Sequence, residues 1–162
     1  MSSTIQIRPI IPQDNPIIAQ LIRSVLTEFG AAKPGTVFTD PTTDQLFELF
    51  QTPKSVYYIA TLEDEIVGGC GIFPTSGLPA NCTELVKLYL APAARGKGIG
   101  KMLMERSCDY AKELGYEEVY LETLPELQLA VGLYERLGFE YLKKPYGNSG
   151  HFACNLWMLK RL

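Results

Sequence analysis

A glycine-rich hinge between an apolar run and an amphipathic one places the tightest limit on how this chain can fold. Glu84-Leu85-Val86-Lys87-Leu88-Tyr89-Leu90 reads as a buried strand closed by Ala91-Pro92. Arg95-Gly96-Lys97-Gly98-Ile99-Gly100 follows. Beyond it, Ile99, Met102, Leu103, Tyr110, Ala111 and Leu114 recur at helical spacing as far as Gly115, which is placed as a stop. A strand therefore enters a glycine turn that opens a helix. The first amide hydrogens of such a helix have no carbonyl partner within it, and the helix dipole presents its positive end there. Glycines let a ligand approach the backbone, and Arg95, Lys97 and Lys101 add positive charge. The turn suits a phosphate or diphosphate. Lysines at a helix N-terminus with no anion to hold are slightly unfavourable, which argues against reading Lys97 and Lys101 as plain surface charge.

Spacing separates the glycine-rich patterns that hold phosphates. A P-loop needs a glycine where this chain has Arg95, and Ser or Thr where it has Met102. The dinucleotide fingerprint needs a glycine where Lys101 stands. What remains, Arg-x-x-Gly-x-Gly, resembles the acyl-CoA-binding motif of the GNAT superfamily of N-acetyltransferases. A second stretch, Ala130-Val131-Gly132-Leu133-Tyr134-Glu135-Arg136-Leu137-Gly138-Phe139, is similar to that family's Ala-x-x-Leu-Tyr-x-x-x-Gly-Phe helix and strand entry. The order of elements agrees over roughly the whole chain. The resemblance implies an α/β GNAT fold: one mixed sheet of six or seven strands, central parallel strands splayed apart, and about four flanking helices. It also implies a single acetyltransferase domain over residues 1–162.

Composition narrows the function classes. With 162 residues, 46% hydrophobic, the chain is long enough for one domain with a sizeable core. The net charge of −3 and the lack of a basic stripe argue against a nucleic-acid partner. No apolar run approaches the ~18 residues a membrane span needs, and no signal-peptide pattern opens the chain, so no membrane partner and a cytoplasmic location are expected. Four cysteines, Cys70, Cys82, Cys108 and Cys154, lack metal-ligand spacing, and there is one histidine. Reduced thiols and no metal are the expectation.

Local patterns place a strand at 5–8, a helix from Asp14 to about Phe29, a loop over 31–43 and a short helix over 44–50. A hairpin is expected from 56–61 and 66–73 across Glu63-Asp64-Glu65, then a loop over 74–81. After the glycine hinge come a strand at 119–123, a helix at 127–137, and final strands at 139–142 and 152–159. Self-association, a possible homodimer, is suggested by family habit, since a final strand such as 152–159 can pair or swap between subunits.

The resemblance carries site roles onto particular residues. It assigns the diphosphate of coenzyme A to Arg95, Gly96, Lys97, Gly98, Ile99, Gly100 and Lys101. Main-chain groups of Leu88, Tyr89 and Leu90 would pair with the pantetheine arm. A backbone N–H near Leu88 would meet the negative charge developing on the thioester oxygen. Tyr134 matches the tyrosine that protonates the departing thiolate, and from ordinary values, ~8.5 for a thiol and ~10 for a phenol, that transfer is nearly matched. The competing account packs Tyr134 on an apolar stripe with Leu127, Ala130, Val131 and Leu137. Glu84 stands where the histone-acetylating branch has a general base; binding a substrate cation, or simply ending a strand, are its other readings. Glu122 and His151 are further candidates for contact with substrate, against ordinary strand and surface-loop roles, and Tyr89 is a possible pocket wall. One departure is Leu127, where the family often has an asparagine that contacts pantetheine; Gln128 is adjacent.

The function so implied is transfer of an acetyl group from acetyl-CoA, as co-substrate, to a primary amine of a small molecule by direct attack in a ternary complex. Acetylation of a protein lysine or N-terminus is the nearest alternative, and a non-catalytic acyl-CoA sensor is an alternative of another class.

Overall fold

The computed structural model describes residues 4–147 and 154–162. In chain order its strands are β1 (Ile5–Pro9), β2 (Val56–Leu62), β3 (Glu65–Phe73), β4 (Cys82–Leu90), β5 (Glu118–Thr123), β6 (Glu140–Leu142) and β7 (Leu156–Arg161). The helices are α1 (Asn15–Glu28), α2 (Leu46–Leu49), α3 (Ile99–Glu113) and α4 (Gln128–Arg136). All seven strands form one sheet in the order β1-β2-β3-β4-β5-β7-β6. β4 and β5 run parallel because α3 carries the chain back between them; the other neighbours are antiparallel.

Alternation along the strands builds a core on each face of the sheet. Tyr58 and Ala60 of β2 face the α3 side with Ile99, Leu103 and Met104. Tyr57 and Ile59 face the α1 side with Ile18, Ile22 and Leu26. At the start of α1, buried Asp14 accepts two hydrogen bonds from Arg8, at 2.7 and 3.0 Å, and one from the Ile11 N–H at 2.9 Å. Burial pushes this carboxyl up, but the Arg8 and Ile11 bonds together outweigh it and hold it below the ordinary range.

Three local differences from the sequence expectation have clear causes. The expected helix at 44–50 is a single α-turn, because Pro41–Gln45 is tightened into a 3-10 turn capped by the Asp40 side chain on the Thr42 N–H. The segment expected to be loop, 31–43, holds a further 3-10 turn at Val37–Thr39, capped by Thr36. The last strand begins at Leu156 rather than 152, and residues 152 and 153 lie outside the described ones. β7 is paired on both sides, to β5 and β6, so the sheet edge beyond it is the three-residue β6.

The feature that shapes the site lies at the middle of β4. β4 and β5 pair only through Cys82, Thr83 and Glu84 against Glu118, Val119 and Tyr120. Beyond Glu84 the two strands part, although β4 stays paired to β3 as far as Leu90. Between Val86, opposite Gly71, and Tyr89, opposite Gly69, β4 holds two residues against one on β3. This is a β-bulge, and its first residue, Lys87, has φ of 55°. That position normally falls to glycine; a side chain there costs about 1–2 kcal/mol. The extra residue resets the alternation, so Leu88 rejoins Leu85 on the α3 face while Tyr89 joins Val86 on the α1 face.

Tyr57 holds the bulge in place. Its hydroxyl donates to the Lys87 carbonyl at 2.7 Å from a fully buried ring. The ring lies across β3, where a Cβ on Gly69 would stand 2.6 Å from it and one on Gly71 would strike the Val56 carbonyl. Glycine at these positions is therefore a window through which β2 reaches β4. Tyr57→Phe removes one hydroxyl and leaves a buried carbonyl without its donor. The expected cost is about 1–2 kcal/mol, read from the urea midpoint at unchanged slope. An unchanged midpoint would mean that this bond does not hold the bulge.

Candidate active site

The turn before α3 is open where an anion would sit. Gly96 and Gly98 have φ of 75° and 77°, and a Cβ added to either would meet nothing within 4 Å. Glycine is required there by backbone conformation rather than by crowding. The first bond into α3 runs from the Met102 N–H to the Gly98 carbonyl at 3.0 Å. Ile99, Gly100 and Lys101 therefore point amide hydrogens that no carbonyl of the helix can take. Lys97 is exposed, and Lys101 is exposed beside Glu105 at 3.7 Å. Free amides, a positive dipole end and two movable cations are a donor set that fits a diphosphate.

Arg95 is engaged elsewhere. Its guanidinium makes two bonds to Glu28 of α1, at 2.6 and 2.8 Å, one to the Leu90 carbonyl at 3.1 Å, and stacks 4.9 Å from the Phe29 ring centre. The side chain ties the turn to α1 instead of reaching into the open space beside Gly96 and Gly98.

From this turn an apolar groove runs inward, walled by Val25, Phe29, Leu88, Leu90, Leu127 and Leu133. Leu129, 61% exposed, stands on its rim. A second cavity opens on the far side of the bulge, where β4 and β5 separate, and it gathers the polar groups. Leu88, Tyr89 and Leu127 line both cavities, so the two meet at the bulge. The strand edge of Leu88, Tyr89 and Leu90 that β5 has left is the wall they share.

Glu84, Glu122 and Tyr134, expected separately from sequence, come together in this second cavity. Glu84 is buried and accepts a short bond from the Thr75 hydroxyl. Glu122 accepts from the Tyr120 hydroxyl at 2.6 Å, and that oxygen accepts in turn from the Tyr146 N–H at 3.1 Å. Burial, with the bond to Glu122, pushes the Tyr120 phenol up. Tyr134 is buried edge-on to Phe139, with ring centres 5.9 Å apart. Burial raises its phenol well above the ordinary value. The near match to a thiol read from ordinary values therefore does not describe this environment; Tyr134 stays protonated throughout the neutral range. His151 lies outside the described residues.

The wall residues not singled out as site candidates from sequence include Thr36, Lys87 and Cys154. Burial pushes the Cys154 thiol up to about 12, so at neutral pH it is a thiol and not a nucleophilic thiolate. Lys87 did leave a signal, a single charge inside the apolar run from Leu85 to Leu90. Its side chain is 5% exposed, and its nearest ion-pair partner is Asp40 at 3.9 Å. Burial lowers this ammonium's pKa, and Asp40 and Glu84 offset that only in part. Among the described residues no cluster of three His, Cys, Asp or Glu could hold a metal, and no helix is long and apolar enough to cross a membrane.

A family profile described as the Acetyltransferase (GNAT) family matches residues 21–139, from α1 through the entry to β6. The chain belongs to the GNAT family of acetyltransferases. It is 42% identical over 151 residues, 93% of this chain and 90% of the relative, to YjgM, an uncharacterized N-acetyltransferase of Escherichia coli (strain K12). An uncharacterized N-acetyltransferase of Schizosaccharomyces pombe is 30% identical, with 85% of this chain and 83% of the relative aligned. Among solved structures, a GNAT acetyltransferase from Staphylococcus aureus MU50 superposes with a TM-score of 0.86 at 21% identity, over 98% of this chain and 99% of that one. The PaiA N-acetyltransferase of Thermoplasma acidophilum, solved with coenzyme A, superposes at 0.71 with 17% identity over 98% and 99%. The chain is thus a GNAT N-acetyltransferase by family and by fold.

The lowered pKa of Lys87 has a measurable signature. An unfolded lysine titrates near ~10.4, and the folded one below that. Between the two values the unfolded chain binds more protons, so the lysine's contribution to stability rises with pH across that window. Below it, the folded protein carries the full penalty of the buried charge. Lys87→Met, which keeps the backbone strain and removes the charge, is expected to be more stable than wild type at neutral pH. Its advantage in urea unfolding should narrow as pH approaches ~10.4. An advantage that does not vary with pH would show that the ammonium is not the cause.

Proposed function

We propose that this chain, acting as one acetyltransferase domain, moves an acetyl group from acetyl-CoA to the primary amine of a small molecule in a ternary complex. The observation that carries the reading is the meeting of an apolar groove and a carboxylate-lined cavity at Leu88, Tyr89 and Leu127, with Tyr134 on the wall of that cavity. Acetyl-CoA supplies a thioester whose carbonyl carbon forms a C–N bond as the C–S bond breaks. Amide hydrogens from Gly96 to Lys101 hold the diphosphate, with Lys97 and Lys101 closing over it and Arg95 bracing the turn against Glu28. The open edge of Leu88, Tyr89 and Leu90 aligns the arm as a further strand would.

Glu84 and Glu122 draw the acceptor's ammonium into the second cavity. Glu84 then takes its proton, directly or through water, so that the neutral amine can attack. Tyr134 delivers a proton to the departing sulfur. A phenol that stays neutral at the working pH is always ready to donate, and the burial that raises it also raises the proton affinity of a thiolate formed in the same site. The enclosure of the cavity by Thr36 and Val37, in the turns after α1, supports a small acceptor over a protein chain.

Thiol release from acetyl-CoA, followed against a broad amine panel, tests the reading. Tyr134→Phe is expected to lower kcat about 10²-fold with little change in the KM for acetyl-CoA, since the ring and its packing remain. Binding of coenzyme A without thiol release on any amine would return the chain to the sensor reading. A Tyr134→Phe variant with wild-type kcat would remove the phenol from the chemistry.

A further inference from the structure

Lys87 is difficult to account for as a structural residue. It occupies the left-handed position of the bulge, where glycine fits without strain. Its side chain is buried, which disfavours the charged form. Its only ion-pair partner among the described residues, Asp40 at 3.9 Å, is beyond hydrogen-bond distance, and Asp40 already caps the turn at Thr42. The ammonium therefore retains donors that no side chain among the described residues uses, on the wall of the cavity that also holds Glu84, Glu122 and Tyr134.

The charge pattern of that cavity discriminates among amines. A simple monoamine would satisfy Glu84 or Glu122 and leave the Lys87 ammonium with Asp40, beyond hydrogen-bond distance, as its nearest anion. A diamine would add a second cation beside it. An amine that also carries a carboxylate satisfies both ends at once.

Resting on the acetyltransferase reading of this site, we propose that Lys87 is a specificity-determining residue that binds a carboxylate of the acceptor, and that the acceptor is an amino acid or another amino-carboxylate. The bulge serves this directly: it turns the residue after Val86 out of the strand's alternation, onto the wall of the second cavity. The acceptor's carboxylate competes with Asp40 for the ammonium, while its amine lies toward Glu84 and Glu122.

The test is equilibrium binding, by calorimetry, to the protein saturated with coenzyme A. The probes are L-amino acids and γ-aminobutyrate, each paired with its own carboxamide. The measurement does not depend on turnover, so it stands apart from the thiol-release assay. For at least one pair, wild type is expected to bind the acid about 10- to 100-fold more tightly than the amide, the worth of a hydrogen bond to a charged group. Lys87→Met should bring the two affinities together, and Lys87→Arg should restore much of the difference. Equal affinities for acid and amide in every pair, no binding of any acid, or a Lys87→Met variant that keeps the preference would each overturn the proposal. In those cases thiol release with an uncharged or dicationic amine would leave the acetyltransferase reading standing.

Discussion

The hydrogen bond from the Tyr57 hydroxyl to the Lys87 carbonyl fixes β4 in the conformation on which the site depends. Without a bulge, strict alternation would put Leu88 and Tyr89 on the opposite faces, each in the core that the other now occupies. The bond can form only because Gly69 and Gly71 leave room for the Tyr57 ring to cross β3. Tyrosine on β2, glycines on β3 and a strained lysine on β4 thus make one device that spans three strands. It lies just beyond Glu84, where β4 leaves β5, and the groove beside it is walled by Val25 of α1 and Leu133 of α4.

Electrostatics divides the opening into two regions. At the turn before α3, exposed lysines and unpaired amide hydrogens present positive charge to solvent, where an anion can enter without prior desolvation. Across the bulge, carboxylates, a buried ammonium and the raised phenols of Tyr89 and Tyr134 line one cavity. Interactions there are stronger, and unmatched charge is more costly. The apolar groove between the two regions keeps them separate.

Much of this was legible in the sequence because it rests on local spacing. The glycine turn, the strand before it and the helix after it follow from periodicity and from the φ > 0 that Gly96 and Gly98 must adopt. The Ala130 to Phe139 stretch likewise fixed α4 and put Tyr134 in the site. The bulge was not legible, because it depends on a contact between residues thirty apart, Tyr57 and Lys87. The ion pair of Arg95 was not legible for a related reason. Its partner, Glu28, lies 67 residues away on α1, and no local pattern shows that the guanidinium is taken. The phenol of Tyr134 looked well matched to a thiol only while its burial was unknown. Composition alone could not show that Lys87, one charge in an apolar run, turns inward.

The most direct measurement is a crystal structure of the protein with coenzyme A bound. Amide hydrogens between Gly96 and Lys101 should contact the diphosphate, the arm should lie along the edge of Leu88, Tyr89 and Leu90, and the sulfur should rest within reach of the Tyr134 hydroxyl. A cofactor bound away from that turn, or a β4 that straightens and rejoins β5 when it binds, would contradict the account.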